Sequence, residues 1–515
     1  MKLLLPTLSI LAVANALVVA RSSTCTAACE SLSSLLGNKV VFSTSTNFTQ
    51  TIGPYFSAQE ASLVPSCAVF PTSAEDVSLF VRTVTPFNLP GETGKNSSCQ
   101  FAIKGGGHAP ASGAANINAG ITLDLSALNQ VTLASDRKFV SLGGGARWGA
   151  AYDVLTEQGL AVPGGRNAEV GVGGFLTGAR SDGVGGISFF TTRVGFACDN
   201  VLDFQVVLAN GSIVSANATT NSQLWKALRG GSNNFGIVTR FDVSVFPQPN
   251  YLGGSISSLI TTSPAQIIAL TNLAGAQTFD PYVSITLTYV WSAGNGFLIT
   301  TNLAHTSANS SLSAPPPSIQ PFLAIQPQVA NTMRTSNVSD FIAELTKPGV
   351  PGLRNSFATT TFKVNAAFMT RVIDIWNNTM ATVTSLPSLV FAGVTFEPIP
   401  TVISSKSAAL GGDSLGLSPK DGNMLLILIS FTWTSSSDDD AIVNASRGMI
   451  EQIDEVAQTR GMDKRWKYLN YAGAWQDVFA SYGRESEGVL RRTSRDYDPE
   501  GVFQRVVPGG FKLFR

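Results

Sequence analysis

The residues able to do chemistry gather around glycines. In Ile103-Lys104-Gly105-Gly106-Gly107-His108 one imidazole follows three residues without a Cβ, so the main chain can approach a bulky ligand while the ring projects toward it. Taken alone, the run equally fits a glycine turn followed by an ordinary surface histidine. Two further clusters add weight. Val170-Gly171-Val172-Gly173-Gly174 is followed by Arg193-Val194-Gly195 and Asp199-Asn200-Val201, and Arg229-Gly230-Gly231-Ser232-Asn233-Asn234-Phe235-Gly236-Ile237-Val238-Thr239 ends by entering a strand. Glycine loops of this kind offer backbone N–H groups to a pyrophosphate. No window matches Gly-X-Gly-X-X-Gly, and Gly91-Glu92-Thr93-Gly94-Lys95-Asn96 lacks the first glycine and the final Ser/Thr of a P-loop, so the ligand is cradled in neither of those ways.

Short β-branched runs alternating with helical stretches must carry these loops. Ala102-Ile103-Lys104 leads into the first glycines, and Ile121-Thr122-Leu123-Asp124-Leu125 makes a second strand. Residues 139–145 run as a strand into a glycine turn. Trp148, Ala151, Tyr152 and Leu155 then mark one face of a helix ending near Gly159. Residues 201–208, Asn210-Gly211 and Ser212-Ile213-Val214 form a strand, a tight turn and a returning strand. From about Pro247 to Lys464 glycine thins out, and strands such as 282–291 and 424–433 alternate with helices such as 439–458, which reads as a second domain. Pro315-Pro316-Pro317 falls in an exposed connection inside it, because consecutive prolines neither extend a helix nor pair in a sheet.

Composition narrows the partners. A chain of 515 residues has room for two substantial domains. Lys+Arg and Asp+Glu are 34 each, which removes the electrostatic case for nucleic acid or an anionic membrane. Residues 1–20 combine Lys2, an apolar stretch and small-residue ends, the pattern of a signal peptide, and no later window is apolar enough to span a bilayer. Sequons at Asn47, Asn96, Asn210, Asn217, Asn309, Asn337, Asn377 and Asn444 agree with secretion. In an oxidising compartment Cys25, Cys29, Cys67 and Cys99 make two bridges by any of three connectivities, leaving Cys198 free. A metal cluster has little support, since Cys-X-X-Cys is absent and His108 and His305 are the only histidines. His305 reads as a surface or hydrogen-bonded structural residue.

In sequence order, the Gly-Gly-Gly-His run with Ala115-Asn116-Ile117, the Gly-Val-Gly-Gly cluster, Cys198-Asp199-Asn200-Val201, Asn234-Phe235-Gly236-Ile237-Val238-Thr239, the 468–472 segment and Tyr497-Asp498-Pro499-Glu500-Gly501-Val502-Phe503 make six blocks. With them the chain resembles secreted fungal berberine-bridge-enzyme-like members of the vanillyl-alcohol-oxidase flavoprotein family, over nearly everything after residue 20. The resemblance implies an α+β, two-domain PCMH-type FAD-binding fold. Its FAD domain comprises residues 21–246 completed by 465–515, and an inserted antiparallel-sheet-and-helix substrate domain covers 247–464.

The resemblance also implies roles. His108 corresponds to the histidine that bonds the flavin 8α-methyl. The position of the second, cysteinyl bond found in many relatives is Asn167 here, so a singly attached FAD is expected. Cofactor-binding positions are His108, Gly105, Gly106, Gly107, Val170, Gly171, Gly173, Gly174, Asn234, Gly236, Ile237, Val238 and Asn470, with Val170 where valine accompanies oxidase behaviour. Tyr471, after Asn470, is the candidate for the group that takes the hydroxyl proton, and as a base it needs a pKa below the usual value near 10; the alternative is a core or domain-interface aromatic. Glu397, where relatives often have glutamine, is the second candidate, although a solvated loop carboxylate is the simpler expectation for it. Relatives cross from Gly-Val-Gly-Gly to the next glycine-led Ile-Ser-Phe-Phe segment in about five residues, whereas residues 175–186 carry an excess of roughly seven.

The expectation is a secreted, extracellular, monomeric FAD oxidase that takes a hydride from a small hydroxyl-bearing substrate, a carbohydrate or a secondary-metabolite alcohol, and reduces O2 to H2O2. The alternatives are a dehydrogenase or oxidative cyclase on the same scaffold, or a flavin- or sugar-binding protein without turnover.

Overall fold

The computed structural model describes residues 25–88, 99–178, 186–346 and 352–514, so the expected signal segment, Asn96 and most of the extra loop residues lie outside the described ones. A helix over residues 25–36 sets Cys25 and Cys29 one turn apart on a shared face, and both reach the first sheet, as Cys25–Cys99 and Cys29–Cys67. Cys198 is free and buried.

That first sheet orders its strands Val40–Phe42, Cys67–Val69, Ile121–Asp124 and Phe101–Lys104, antiparallel at the first pairing and parallel at the next two. Ile121–Asp124 is buried at every position, as a parallel strand covered on both faces must be. The second sheet is antiparallel, in the order Val131–Leu133, Phe139–Gly143, Ile237–Ser244, Val201–Val207 and Ile213–Asn217. Asn210-Gly211 makes the hairpin turn read from the sequence, with Gly211 at φ +81°. The helix Trp148–Thr156 buries the expected Trp148, Ala151, Tyr152 and Leu155, and Gly159 follows at φ +66°.

The third sheet has nine strands, all antiparallel. Its central members are Val283–Ser292, Leu389–Ile399, Met424–Trp433 and Arg354–Lys363. Alternation sends one set of side chains toward the helices Ala366–Val383 and Asp439–Thr459, where Trp376, Phe396, Ile427 and Ile453 share a core. The other set, including Phe357, Ile399, Leu426 and Leu428, packs into the core of the second sheet and the glycine loops. His305 ends the strand Gly296–His305 with Nε2 3.1 Å from Asp280 and Nδ1 against Ser310, a structural fastening.

The chain returns to the first half after residue 464. Asp498 accepts from the main-chain N–H groups of Val502 and Phe503 at 2.8 and 2.7 Å, capping a short helix whose Val502 and Phe503 complete the core of the first sheet. Among the described residues no helix is long and apolar enough to cross a membrane.

Candidate active site

Strand Phe101–Lys104 delivers the first glycine run, and Gly107 turns at φ +68°, placing His108 at its end. A Cβ on Gly106 would stand 2.5 Å from Gly171 N and 2.6 Å from Gly171 Cα, so the two glycine loops meet main chain to main chain. A Cβ on Gly173 would lie 2.8 Å from Gly144 O. Behind them, buried Glu60 accepts from Ala114 N at 2.6 Å and Ala115 N at 2.8 Å, and Asn116 accepts from Thr122 Oγ1 at 2.8 Å, which accounts for the Ala115-Asn116-Ile117 block as the brace of the histidine loop. Lys104 is buried, 3.0 Å from Asp124.

These loops line a cleft walled by Gly105–Gly107, His108, Gly171, Gly173, Gly174, Gly236, Ile237 and Val238. Three expected cofactor residues stand elsewhere. Asn234 is fully buried behind the cleft, donating to Gly231 O at 2.7 Å and Phe511 O at 3.0 Å, so it fastens the C-terminal tail. Val170 is buried in the core, and Asn470 lines a smaller cavity with Tyr468 and Cys198. Ser232 and Asn233 of the third glycine cluster also line the cleft, as do Thr177 and Gly510, which carried no sequence signal. Ser232 holds φ +62°, an uncommon backbone state for a residue with a Cβ.

The second constellation is buried between the halves. Arg166 embraces Glu397 through Nη1–Oε1 at 2.8 Å and Nη2–Oε2 at 3.1 Å, a bidentate pair. Tyr471 OH donates to Glu397 Oε2 at 3.3 Å and accepts from Arg166 Nη2 at 3.3 Å. The Tyr468 ring meets that of Tyr471 edge to face, with centroids 4.9 Å apart.

Two expectations are corrected here. Glu397 is no loop carboxylate: it sits in strand Leu389–Ile399, 4% exposed, where the strand's pleat aims it at Arg166. Tyr471 does not have a lowered pKa. Burial first, and then the Glu397 charge, push its phenol well above the usual value, with Arg166 opposing. Arg166 itself stays protonated: burial pulls its pKa down, but the charge of Glu397 outweighs that. It was missed because one arginine after two glycines is a faint signal. Those glycines have a structural cause, since a Cβ on Gly164 or Gly165 would run into the Trp148 indole.

The Cys198-Asp199-Asn200 block ties the inserted domain down. Asp199 accepts from Phe196 N at 2.8 Å and from Ser407, and Arg229 donates to Leu410 O and Gly412 O at 3.0 Å each. Burial raises the Cys198 thiol pKa well above its ordinary value, which keeps that sulfur unreactive.

A glycine-walled cleft bearing a histidine, together with a buried carboxylate–phenol–guanidinium group whose carboxylate comes from the inserted sheet, fits an FAD-linked oxidoreductase. An FAD binding domain family matches residues 65–217, which include His108 and Gly171–Gly174. An FAD-dependent monooxygenase of Emericella nidulans is 38% identical, over 95% of this chain and 98% of that protein. The chain belongs to the berberine-bridge-enzyme-like FAD-linked oxidoreductases, with fungal FAD-dependent monooxygenases among its relatives. The fold, PCMH-type with an inserted substrate domain, is that of a xylooligosaccharide oxidase from Myceliophthora thermophila C1 (TM-score 0.72, 21% identity, 96% of this chain and 99% of that one). It is equally that of a glucooligosaccharide oxidase from Acremonium strictum bearing 6-S-cysteinyl, 8α-N1-histidyl FAD (TM-score 0.72, 19% identity, 96% and 99%).

Proposed function

We propose that this protein is a secreted oxidase that converts a hydroxyl-bearing small molecule to the carbonyl compound, holds its FAD covalently through His108 alone, and uses dioxygen as acceptor, releasing H2O2. The observation that carries the reading is the contact of Glu397 with both Tyr471 and Arg166 inside the protein.

The cleft suits FAD. Its glycine walls meet where no Cβ fits, leaving N–H groups for a pyrophosphate, and His108 stands in the lining. When bound, FAD accepts the two electrons of the oxidation as a hydride. Glu397 is the acceptor of the substrate's hydroxyl proton, directly or through Tyr471, whose raised pKa suits it to pass a proton rather than to start as a phenolate. Arg166 holds the carboxylate in place and offsets its charge. Asn167 cannot form a thioether, so the histidyl bond is the only one in the reading. Exposed sequons at Asn47, Asn210, Asn309, Asn377 and Asn444 and the two disulfides support an extracellular, oxidising setting.

A second reading, hydroxylation, is favoured by the naming of the relatives as monooxygenases. Turnover under 18O2 with H2O2 measured in parallel separates the two. One H2O2 per carbonyl formed and no label in the product is the oxidase result, and label in the product with H2O2 missing is the monooxygenase result. Acid precipitation tests the attachment: yellow colour should stay with the polypeptide and leave it in His108→Ala.

A further inference from the structure

Phe56 covers one face of the His108 imidazole. Their centroids are 4.4 Å apart and the planes inclined by 26°, a stacked pair. The main chain fixes Phe56 from both sides of the histidine. Its N–H donates to Gly107 O at 2.9 Å, and the hydroxyl of the next residue, Ser57, donates to Ala109 O at 3.2 Å. Its carbonyl accepts from Asn355 Nδ2 at 3.1 Å, and Gln59 and Asn355 exchange two more bonds, Nε2 to O at 2.9 Å and N to Oε1 at 3.2 Å. Asn355 belongs to the inserted sheet, and the Phe357 ring two residues on lies 6.2 Å from Phe56. The rings of Phe357, Phe56 and His108 therefore form a file from the substrate sheet to the cofactor cleft.

An imidazole that bonds through one nitrogen must hold that nitrogen on a fixed line, yet its terminal torsion is intrinsically broad. A ring stacked on one face narrows that torsion and uses no ring nitrogen. We propose that Phe56 is a positioning residue for covalent FAD attachment, setting the plane of the His108 imidazole so that one ring nitrogen meets the flavin 8α-carbon. The proposal rests on the reading of His108 as the attachment point. Attachment forms one C–N bond and breaks one C–H bond of the 8α-methyl and one imidazole N–H bond; the two electrons and two protons end on dioxygen, as H2O2. Phe56 has no proton to move, so its whole contribution is orientation.

The test uses the full chain produced in a riboflavin-starved host, mixed with FAD and sampled over time by acid precipitation. Phe56→Leu keeps apolar bulk without a flat face and should attach FAD at least about tenfold more slowly than the unsubstituted protein, while Phe56→Tyr should attach it within about twofold. Reversible FAD binding, read by quenching of flavin fluorescence, should change less than about threefold in both, which separates orientation from loss of the fold. A leucine variant attaching at the unsubstituted rate, or a tyrosine variant as slow as the leucine one, overturns the role of Phe56. Unsubstituted protein that releases all its flavin into acid overturns the attachment reading, and this proposal with it.

Discussion

Arg166 and Glu397 face each other in a bidentate ion pair across the boundary between the glycine-loop half and the inserted sheet, both almost wholly buried. Removing one partner strands a charge in a medium of low dielectric. Glu397→Leu alone should therefore cost about 3–5 kcal/mol, and the double variant Arg166→Met/Glu397→Leu should recover most of it. Chemical denaturation of the unsubstituted protein and the two variants checks this, and a double variant no more stable than Glu397→Leu would contradict it.

In the proposed reaction Glu397 and Tyr471 carry the proton path. Glu397→Gln and Tyr471→Phe should each slow flavin reduction by substrate about 100-fold or more while changing substrate binding less than about tenfold. Anaerobic stopped-flow absorbance gives both quantities. Unchanged reduction in either variant removes that residue from the proton path.

Gly106 and Gly171 touch through their main chains, and either Cβ would force the loops apart. Gly171→Ala should therefore be purified with little or no flavin. The ratio of absorbance near 450 nm to that at 280 nm reports it, and full occupancy would show that the cradle yields more easily than its packing implies.

Asp199 gives stability a pH dependence of known sign. Burial, then the neighbouring charge of Asp413, raises its carboxyl well above the ordinary value of 3.8, with Ser407 and Arg229 opposing. A raised folded-state pKa means that the folded protein keeps the proton longer than the unfolded chain. Stability from this group is thus full below the unfolded pKa and lost as pH rises through the folded one. Asp413→Asn should flatten the fall of Tm as pH rises above the ordinary carboxyl range. Parallel curves for the two proteins would rule Asp413 out as the cause.

The bridge Cys29–Cys67 closes a sequence separation of 38 residues between the first described helix and the first sheet. Replacing both cysteines by serine should lower stability by about 2–4 kcal/mol, since the unfolded chain gains conformational freedom. The denaturation midpoint measures it, and a shift inside experimental error would mean that the native packing already restrains that segment.

Local rules account for what was legible along the chain. Asn210-Gly211 could only turn tightly, the 148–155 periodicity could only bury one helix face, and a short apolar run read as a strand at residues 424–433. The run of glycines before His108 announced a close main-chain approach, and Gly171 is what approaches. Asn234 differs from its neighbours Gly236 and Ile237, which line the cleft: adjacency in sequence says nothing of side-chain direction, and its amide points back to the C-terminal tail. Glu397 was misjudged for a related reason. A lone carboxylate reads as solvated, but pairing with Leu426 in the neighbouring strand keeps it in the sheet.

By itself the sequence located the glycine loops and placed His108 at the end of one, because glycine spacing acts through local backbone chemistry, and the resemblance carried by its six blocks implied the FAD class. Which two disulfides form, and that Arg166, Glu397 and Tyr471 share one buried site, was decided only by tertiary structure. Those three residues are separated by 231 and 74 positions, and nothing in a short window encodes where a strand of one domain meets a loop of another.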